Sequence, residues 1–147
     1  MSVYAAIVHA PIEPAAILDR VGGDEDGAVV LFLGTVRDHN EGREVRGLRY
    51  EAYEEMAQAV LDGIAREAGD RARTDQVAVV HRVGELAVGE LSVAIAVAAP
   101  HRSDAYDASR YVIEEIKKRL PVWKHEHYTE GDARWLDGAR PPVGEHS

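Results

Sequence analysis

The residue types best suited to chemistry gather in one short stretch: Lys117, Lys118 and Arg119, then Pro121, Trp123 and Lys124. Such a cluster can bind anions. A lysine that loses part of its hydration can also act as base, nucleophile or electrostatic clamp, because desolvation disfavours its charged form. If residues 117–119 close a helix, Glu114 pairs with Lys118 and Glu115 with Arg119 at the i,i+4 spacing, which leaves Lys117 without an intrahelical acid partner. Lys117 also follows Ile113 and Ile116, so its stem borders an apolar stripe. A reversal after Pro121 could bring Lys124 back toward Lys117, and two amines held together depress each other's pKa values, giving a usable base near neutral pH. A plainer reading covers part of this: cations in a last helical turn offset the helix dipole by ~0.3–1 kcal/mol each. That accounts for residues 117–119 but not for Trp123 and Lys124, although tandem lysines on surfaces are common.

Two further basic elements stand at the ends of apolar runs. His101 and Arg102 lie between Pro100 and the start of a helix, a junction whose backbone amides attract anions and where an arginine suits phosphate. Arg37 follows an apolar run through residues 34–36 and could join the same anion site. Each of these segments can instead be a solvated loop, a reading as good as the functional one for Arg37; their convergence is the working hypothesis. His125 and His127 alternate along a strand and share a face, a spacing that could bind a metal. With no cysteine and no evident third ligand, no metal site is expected. No glycine-rich nucleotide-phosphate loop occurs, and no cofactor is expected.

The elements that must position these groups follow from periodicity. Residues 3–9 suit a first strand and 11–21 a short helix with Ala15, Ile17, Leu18 and Val21 inward. The continuous apolar run 28–33 reads as a central strand buried on both faces. Residues 37–44 read as a loop before an alternating strand at 45–53. From Glu54, the positions Met56, Val60, Leu61, Ile64, Ala65 and Ala68 fall at helical spacing, with a stop at Gly69. Strands are expected at 77–81 and 91–98, with a turn-rich segment at 84–90. A second helix capped by Ser103 would bury Ala105, Ala108, Val112, Ile113 and Ile116 and end before Pro121. One more strand is expected at 123–128. Two long helices against one sheet indicate an α+β sandwich.

Composition bounds the function. A chain of 147 residues with 46% hydrophobic content suits one domain with one core. The expectation is a single domain over residues 1–136 and a flexible tail at 137–147. Neither a spanning helix nor a secretion signal is evident, so a cytoplasmic protein without membrane association is expected. The absence of cysteine removes disulfides, thiolate metal sites and a cysteine nucleophile. A formal net charge of −9 argues against nonspecific nucleic-acid binding.

Taken together, the stretches GAVVLFLGTVRDHN (27–40), LRYEAY (48–53), HRVGEL (81–86), VGE (88–90), APHR (99–102) and KKRLPVWKHE (117–126) occur in an order that resembles the large, MoaE-type subunit family of molybdopterin synthase. The resemblance spans about residues 27–135. It implies a hammerhead-like α/β domain with an added small antiparallel sheet. The implied activity is sulfur transfer onto cyclic pyranopterin monophosphate to make the dithiolene of molybdopterin. The sulfur arrives as a thiocarboxylate on the C-terminal Gly-Gly of a small ubiquitin-like subunit, so the missing cysteine is no obstacle. By the same resemblance Lys117 and Lys124 are catalytic, Arg37, His101 and Arg102 bind the substrate phosphate, and Phe32 and Glu126 support the pocket. His101 and Arg102 are implied to reach into the site of a neighbouring copy, within a heterotetramer built on a homodimer of this chain. A tail arginine of the family would fall on Arg140, where the spacing after Gly131 departs from the pattern. His125 stands where the family often has a second basic residue. The competing function class is a non-catalytic anion-binding or adaptor subunit that docks a partner's acidic C-terminus.

Overall fold

The computed structural model describes residues 3–129 and 134–135. Its elements in chain order are β1 (Tyr4–Val8), α1 (Pro14–Leu18), β2 (Ala28–Thr35), β3 (His39–Asn40), β4 (Arg43–Ala52), α2 (Glu54–Ala72), β5 (Val77–Arg82), β6 (Gly84–Ala87), β7 (Leu91–Ala99), α3 (Arg102–Arg119), β8 (Val122–Tyr128) and β9 (Arg134–Trp135). They form two sheets. The first has the order β1-β5-β7-β2, with β1 parallel to β5 and the other pairs antiparallel. In the second, β4 is flanked by β6 and β8, with β3 on the hairpin end of β4 and β9 beyond β8. This is the expected α+β arrangement: helices on a mixed sheet, plus a smaller antiparallel sheet.

Strand period and helix period explain the layering. Alternate residues of β5 and β7, Val77, Val79, Val93, Ile95 and Val97, face α2 and α3, whose inward positions Leu61, Ile64, Ala65, Ala68, Ala105, Ala108, Val112 and Ile116 complete the main core. The opposite face, Ala78, Val80, Ala94 and Ala96, is covered by Ile12 and by Ile17 of α1. Small residues in β7 let both layers approach closely.

Several expected boundaries change. The run 28–33 is not central: β2 is an edge strand, and Val29 and Leu33 are 52% and 37% exposed. A continuous apolar run does not reveal its place in a sheet, and β7 holds the central position instead. Gly69 does not stop α2, which continues to Ala72 and ends with Arg73 in the left-handed region. Gly69 is needed because a Cβ there would lie 2.5 Å from the Thr74 carbonyl oxygen, which belongs to the turn that caps the helix. Met56 is exposed rather than inward. The segments expected as loops each contribute a short strand, β3 and β6, that pairs with β4. Ser103 lies inside α3; the N-cap is His101, with no side-chain cap bond.

Candidate functional site

β8 decides which side chains meet. Its burial alternates strictly: Val122, Lys124, Glu126 and Tyr128 are buried, whereas Trp123, His125 and His127 are half-buried on the other face. Val122 belongs to the main core, so the buried face runs outward from that core as valine, lysine, glutamate, tyrosine. Lys124 is 4% exposed and Glu126 3% exposed. Register places Tyr50 of β4 opposite Lys124 and Leu48 opposite Glu126, on the same face. Tyr50 and Leu48 pack with Val36, Val83 and Leu86.

This face is polar well below the surface. The Tyr50 ring meets His81 edge-on, centroids 5.1 Å apart, and its hydroxyl bonds Ser92. Burial pushes the Tyr50 phenol up to about 12, with the Glu126 carboxylate adding to the rise and the Ser92 bond opposing it. Burial pulls the His81 imidazole down to about 4, against a hydrogen bond to the Arg82 carbonyl that favours the charged form. Both are therefore neutral at pH 7. His81 Nδ1 lies 2.9 Å from that carbonyl oxygen. A carbonyl only accepts, so the proton sits on Nδ1 and Nε2 is the ring's acceptor. Glu126 Oε1 accepts from Asn40 Nδ2 at 2.9 Å and from the Tyr128 hydroxyl at 2.8 Å.

The other candidates divide between the two ends of α3. The helix starts two residues after β7 and packs back along β7 and β2. Ala28 pairs with Ala99 and Thr35 with Leu91. The first turn of α3 therefore lies at the Ala28 end of β2 and the last turn at the Thr35 end. At a rise of 1.5 Å per residue, Arg102 and Lys117 are separated by roughly 22 Å along the helix. Arg37, just beyond Thr35, emerges at the Lys117 end. Lys124 follows the same end of α3 through Pro121, whose carbonyl accepts the Tyr53 amide. So Arg37, Lys117 and Lys124 gather at one end, while His101 and Arg102 lie at the other. Convergence of all the basic elements within one chain is overturned by the length of the helix.

Burial also reverses one expectation. Lys117 is exposed, and Lys124 is the desolvated lysine. Lys117 does lack an acid partner among the described residues, while its neighbours are engaged. Lys118 pairs with Glu115 at 3.5 Å rather than with Glu114, and Arg119 reaches Glu115 at 3.1 Å and Glu67 of α2 at 2.7 Å. Arg37, His101 and Arg102 are exposed. Phe32 is half-buried against the main core. Arg140 lies outside the described residues. His125 and His127 do share a face, ring centroids 5.7 Å apart, but His127 Nε2 is 2.9 Å from Glu85. Among the described residues no grouping of three or more metal-ligating side chains occurs.

A family model described as MoaE protein matches residues 7–119. The chain belongs to the MoaE family. It is 43% identical over 138 residues to molybdopterin synthase catalytic subunit 1 of Mycobacterium tuberculosis, covering 94% of this chain and 92% of that one. Molybdopterin synthase from Staphylococcus aureus superposes with a TM-score of 0.84 at 38% identity, over 89% of this chain and 95% of that chain. A chain from a complex of subunits 1 and 2 of the molybdopterin-converting factor of Helicobacter pylori shares the fold at 18% identity, with a TM-score of 0.70 over 95% and 94% of the two chains.

Within this MoaE fold, reasoning from residue types missed Tyr50, His81, Ser92 and Asn40, which line or brace the buried face of β8. A signal was available for two. Tyr50 alternates with Leu48 in a strand, and His81 ends an apolar run, but nothing local indicated that both face a buried lysine strand.

Proposed function

We propose that this chain is the catalytic subunit of a molybdopterin synthase, a sulfurtransferase that converts cyclic pyranopterin monophosphate to molybdopterin with sulfur from a partner's C-terminal thiocarboxylate. The observation that carries this reading is Lys124. The residue is 4% exposed, so its amine sits largely out of water, the condition in which a lysine acts as base, nucleophile or electrostatic clamp. Lys124 lies where Arg37 and Lys117 emerge, in a chain that matches catalytic subunits along most of its length. A phosphate and a thiocarboxylate are both anionic, and two lysines with an arginine supply the opposing charge. In this reading Lys124 acts on the reacting atoms, Lys117 holds or relays charge at the pocket rim, Arg37 takes the substrate phosphate, and Phe32, Glu126 and the tail Arg140 support the pocket.

The separation of His101 and Arg102 from Lys117 supports a site completed by a second copy. The first sheet has two edges. On β1, Gln58 of α2 donates to the Ala5 carbonyl and accepts from the Ile7 amide, blocking that edge. On β2, the outward edge is open among the described residues. The flank of α3 above it carries Tyr106, 62% exposed, Ile113 and Lys117, opposite the flank on which Tyr111 bonds Glu67 of α2. Antiparallel pairing of two β2 edges about a two-fold axis would lay the Ala28 end of one beside the Thr35 end of the other. His101 and Arg102 of one copy would then meet Arg37 and Lys117 of the other. Leu33→Glu should shift the chain toward monomer in sedimentation, and an unchanged dimer would exclude this seam. The full assembly in this reading is a cytoplasmic heterotetramer, two such chains with two small ubiquitin-like partners ending in Gly-Gly.

The test is reconstitution with a thiocarboxylated small partner and cyclic pyranopterin monophosphate. Dithiolene product is expected. Binding of the partner without product, with that partner shown competent on another large subunit, would contradict the reading and leave an adaptor.

A further inference from the structure

The Arg37 segment is fixed at both ends, and the fixing group at its far end is Asn40. On the near side, Val36 is buried, its amide donates to the Glu90 carbonyl, and its own carbonyl accepts the Gly89 amide. On the far side, β3 is only two residues long and pairs with β4 through His39 opposite Glu44 and Asn40 opposite Arg43. The connecting turn holds Glu41 and Gly42 at φ of 51° and 78°, the positive values that a tight two-residue hairpin requires. So short a ladder holds little on its own. The Asn40 side chain adds an anchor: its amide donates to Glu126 Oε1 at 2.9 Å, and the same oxygen accepts the Tyr128 hydroxyl at 2.8 Å. Arg43 lies over the Tyr128 ring, 3.8 Å from its centroid, so the hairpin is held at two neighbouring points on the outer part of β8.

Glu126 is a good anchor because it is buried and doubly bonded, two residues along the same face from Lys124. Hydrogen bonds made out of water are stronger than the same bonds in solvent. We propose that Asn40 is a positioning residue: by bonding Glu126 it holds the Arg37 segment against the Lys124 strand, so that the guanidinium is already in place for an anionic substrate group. It acts through Arg37 and touches no reacting atom. The inference rests on the reading of Arg37 as the phosphate ligand given under Proposed function.

Without the anchor, substrate binding must also order the Arg37 segment, which raises KM more than it lowers kcat. The experiment uses the reconstituted complex with thiocarboxylated partner and varied cyclic pyranopterin monophosphate. Asn40→Ala should raise KM about tenfold and change kcat less than about threefold. Arg37→Ala should raise KM by at least as much. The double variant should be no worse than Arg37→Ala alone, because the anchor has nothing left to position. If Asn40→Ala does not fold, Asn40→Leu is of similar size, lacks the donor and should give the same pattern. A purely structural role for Asn40 would lower the unfolding midpoint without this non-additivity. An unchanged KM in the Asn40 variant, or penalties that multiply in the double variant, overturns the proposal while leaving Arg37 its role. An unchanged KM in Arg37→Ala removes the phosphate ligand itself, and the positioning role with it.

Discussion

Between α2, α3 and the four-stranded sheet, the buried side chains are alanine, valine, leucine and isoleucine with Ser109 of α3 among them, whereas the buried face of the second sheet carries Tyr50, Lys124, Glu126 and Tyr128 beside His81 and Ser92. The two regions are equally inaccessible and differ in what they exclude from water. Removing apolar surface from water stabilises by roughly 25 cal/mol per Å² and asks nothing in return. Burying amines, carboxylates and imidazoles is at best neutral, because desolvation offsets what pairing returns. The first region can therefore be understood from stability alone. The second cannot, and it is also where the exposed Lys117 and Arg37 emerge.

That contrast is testable by breaking each side separately, the largest effect first. Leu61 and Ile95 are fully buried in the apolar region. Leu61→Ala or Ile95→Ala should lower unfolding free energy by roughly 3–5 kcal/mol in denaturant titrations, the upper part of the range for such truncations. Turnover per folded molecule should not change. A large loss of turnover without loss of stability would show that the apolar region does more than support.

The next effect belongs to His81. Its folded pKa, about 4, lies below the ordinary 6.5, so between those pH values the unfolded chain binds a proton that the folded one refuses. Stability is fully present above pH 6.5 and declines as pH falls toward 4, by an amount approaching ~3 kcal/mol. Thermal midpoints measured from pH 7 to 4 should show this slope, and His81→Gln should flatten it. An equal slope in both proteins would place the proton uptake elsewhere. Glu67 titrates in a separate window. Arg119 holds it down to about 2, so its contribution is present above pH 4.5 and lost only as pH falls from there.

The smallest effect is expected at that ion pair. The Glu67 side chain is 42% exposed, so solvent screens it. Arg119→Ala should cost at most ~1 kcal/mol, and the difference from the unmodified chain should shrink in 1 M salt, where the screening length is about 3 Å. A salt-independent loss would mean that the arginine stem, not its charge, carries the contact.

The sequence was most legible where local period and burial agree. Alternation predicted β4, and helical spacing predicted α2 and α3, because each buries one face against a single layer; β8 was expected as a strand over nearly its full length. It was least legible where position in a sheet mattered. β2 reads as central yet is an edge, since hydrophobicity alone does not count neighbours. β3 and β6 are so short that only their pairing with β4 makes them strands. The site divides in the same way. Lys117, Lys124, Arg37, His101 and Arg102 could be named from charge and from positions at element ends. Which lysine is buried depends on the parity of β8, and the distance between the ends of α3 sets His101 apart from Lys117. Asn40 and His81 act through contacts with residues remote in sequence, for which no local pattern exists.

The central claim is that the polar burial around Lys124 serves sulfur transfer. Lys124→Met, nearly the same length without the charge, tests it most directly in single-turnover conversion of cyclic pyranopterin monophosphate by the reconstituted complex. The expected result is a loss of at least about a hundredfold in rate, with the unfolding midpoint unchanged or raised. Undiminished turnover in that variant would contradict the account.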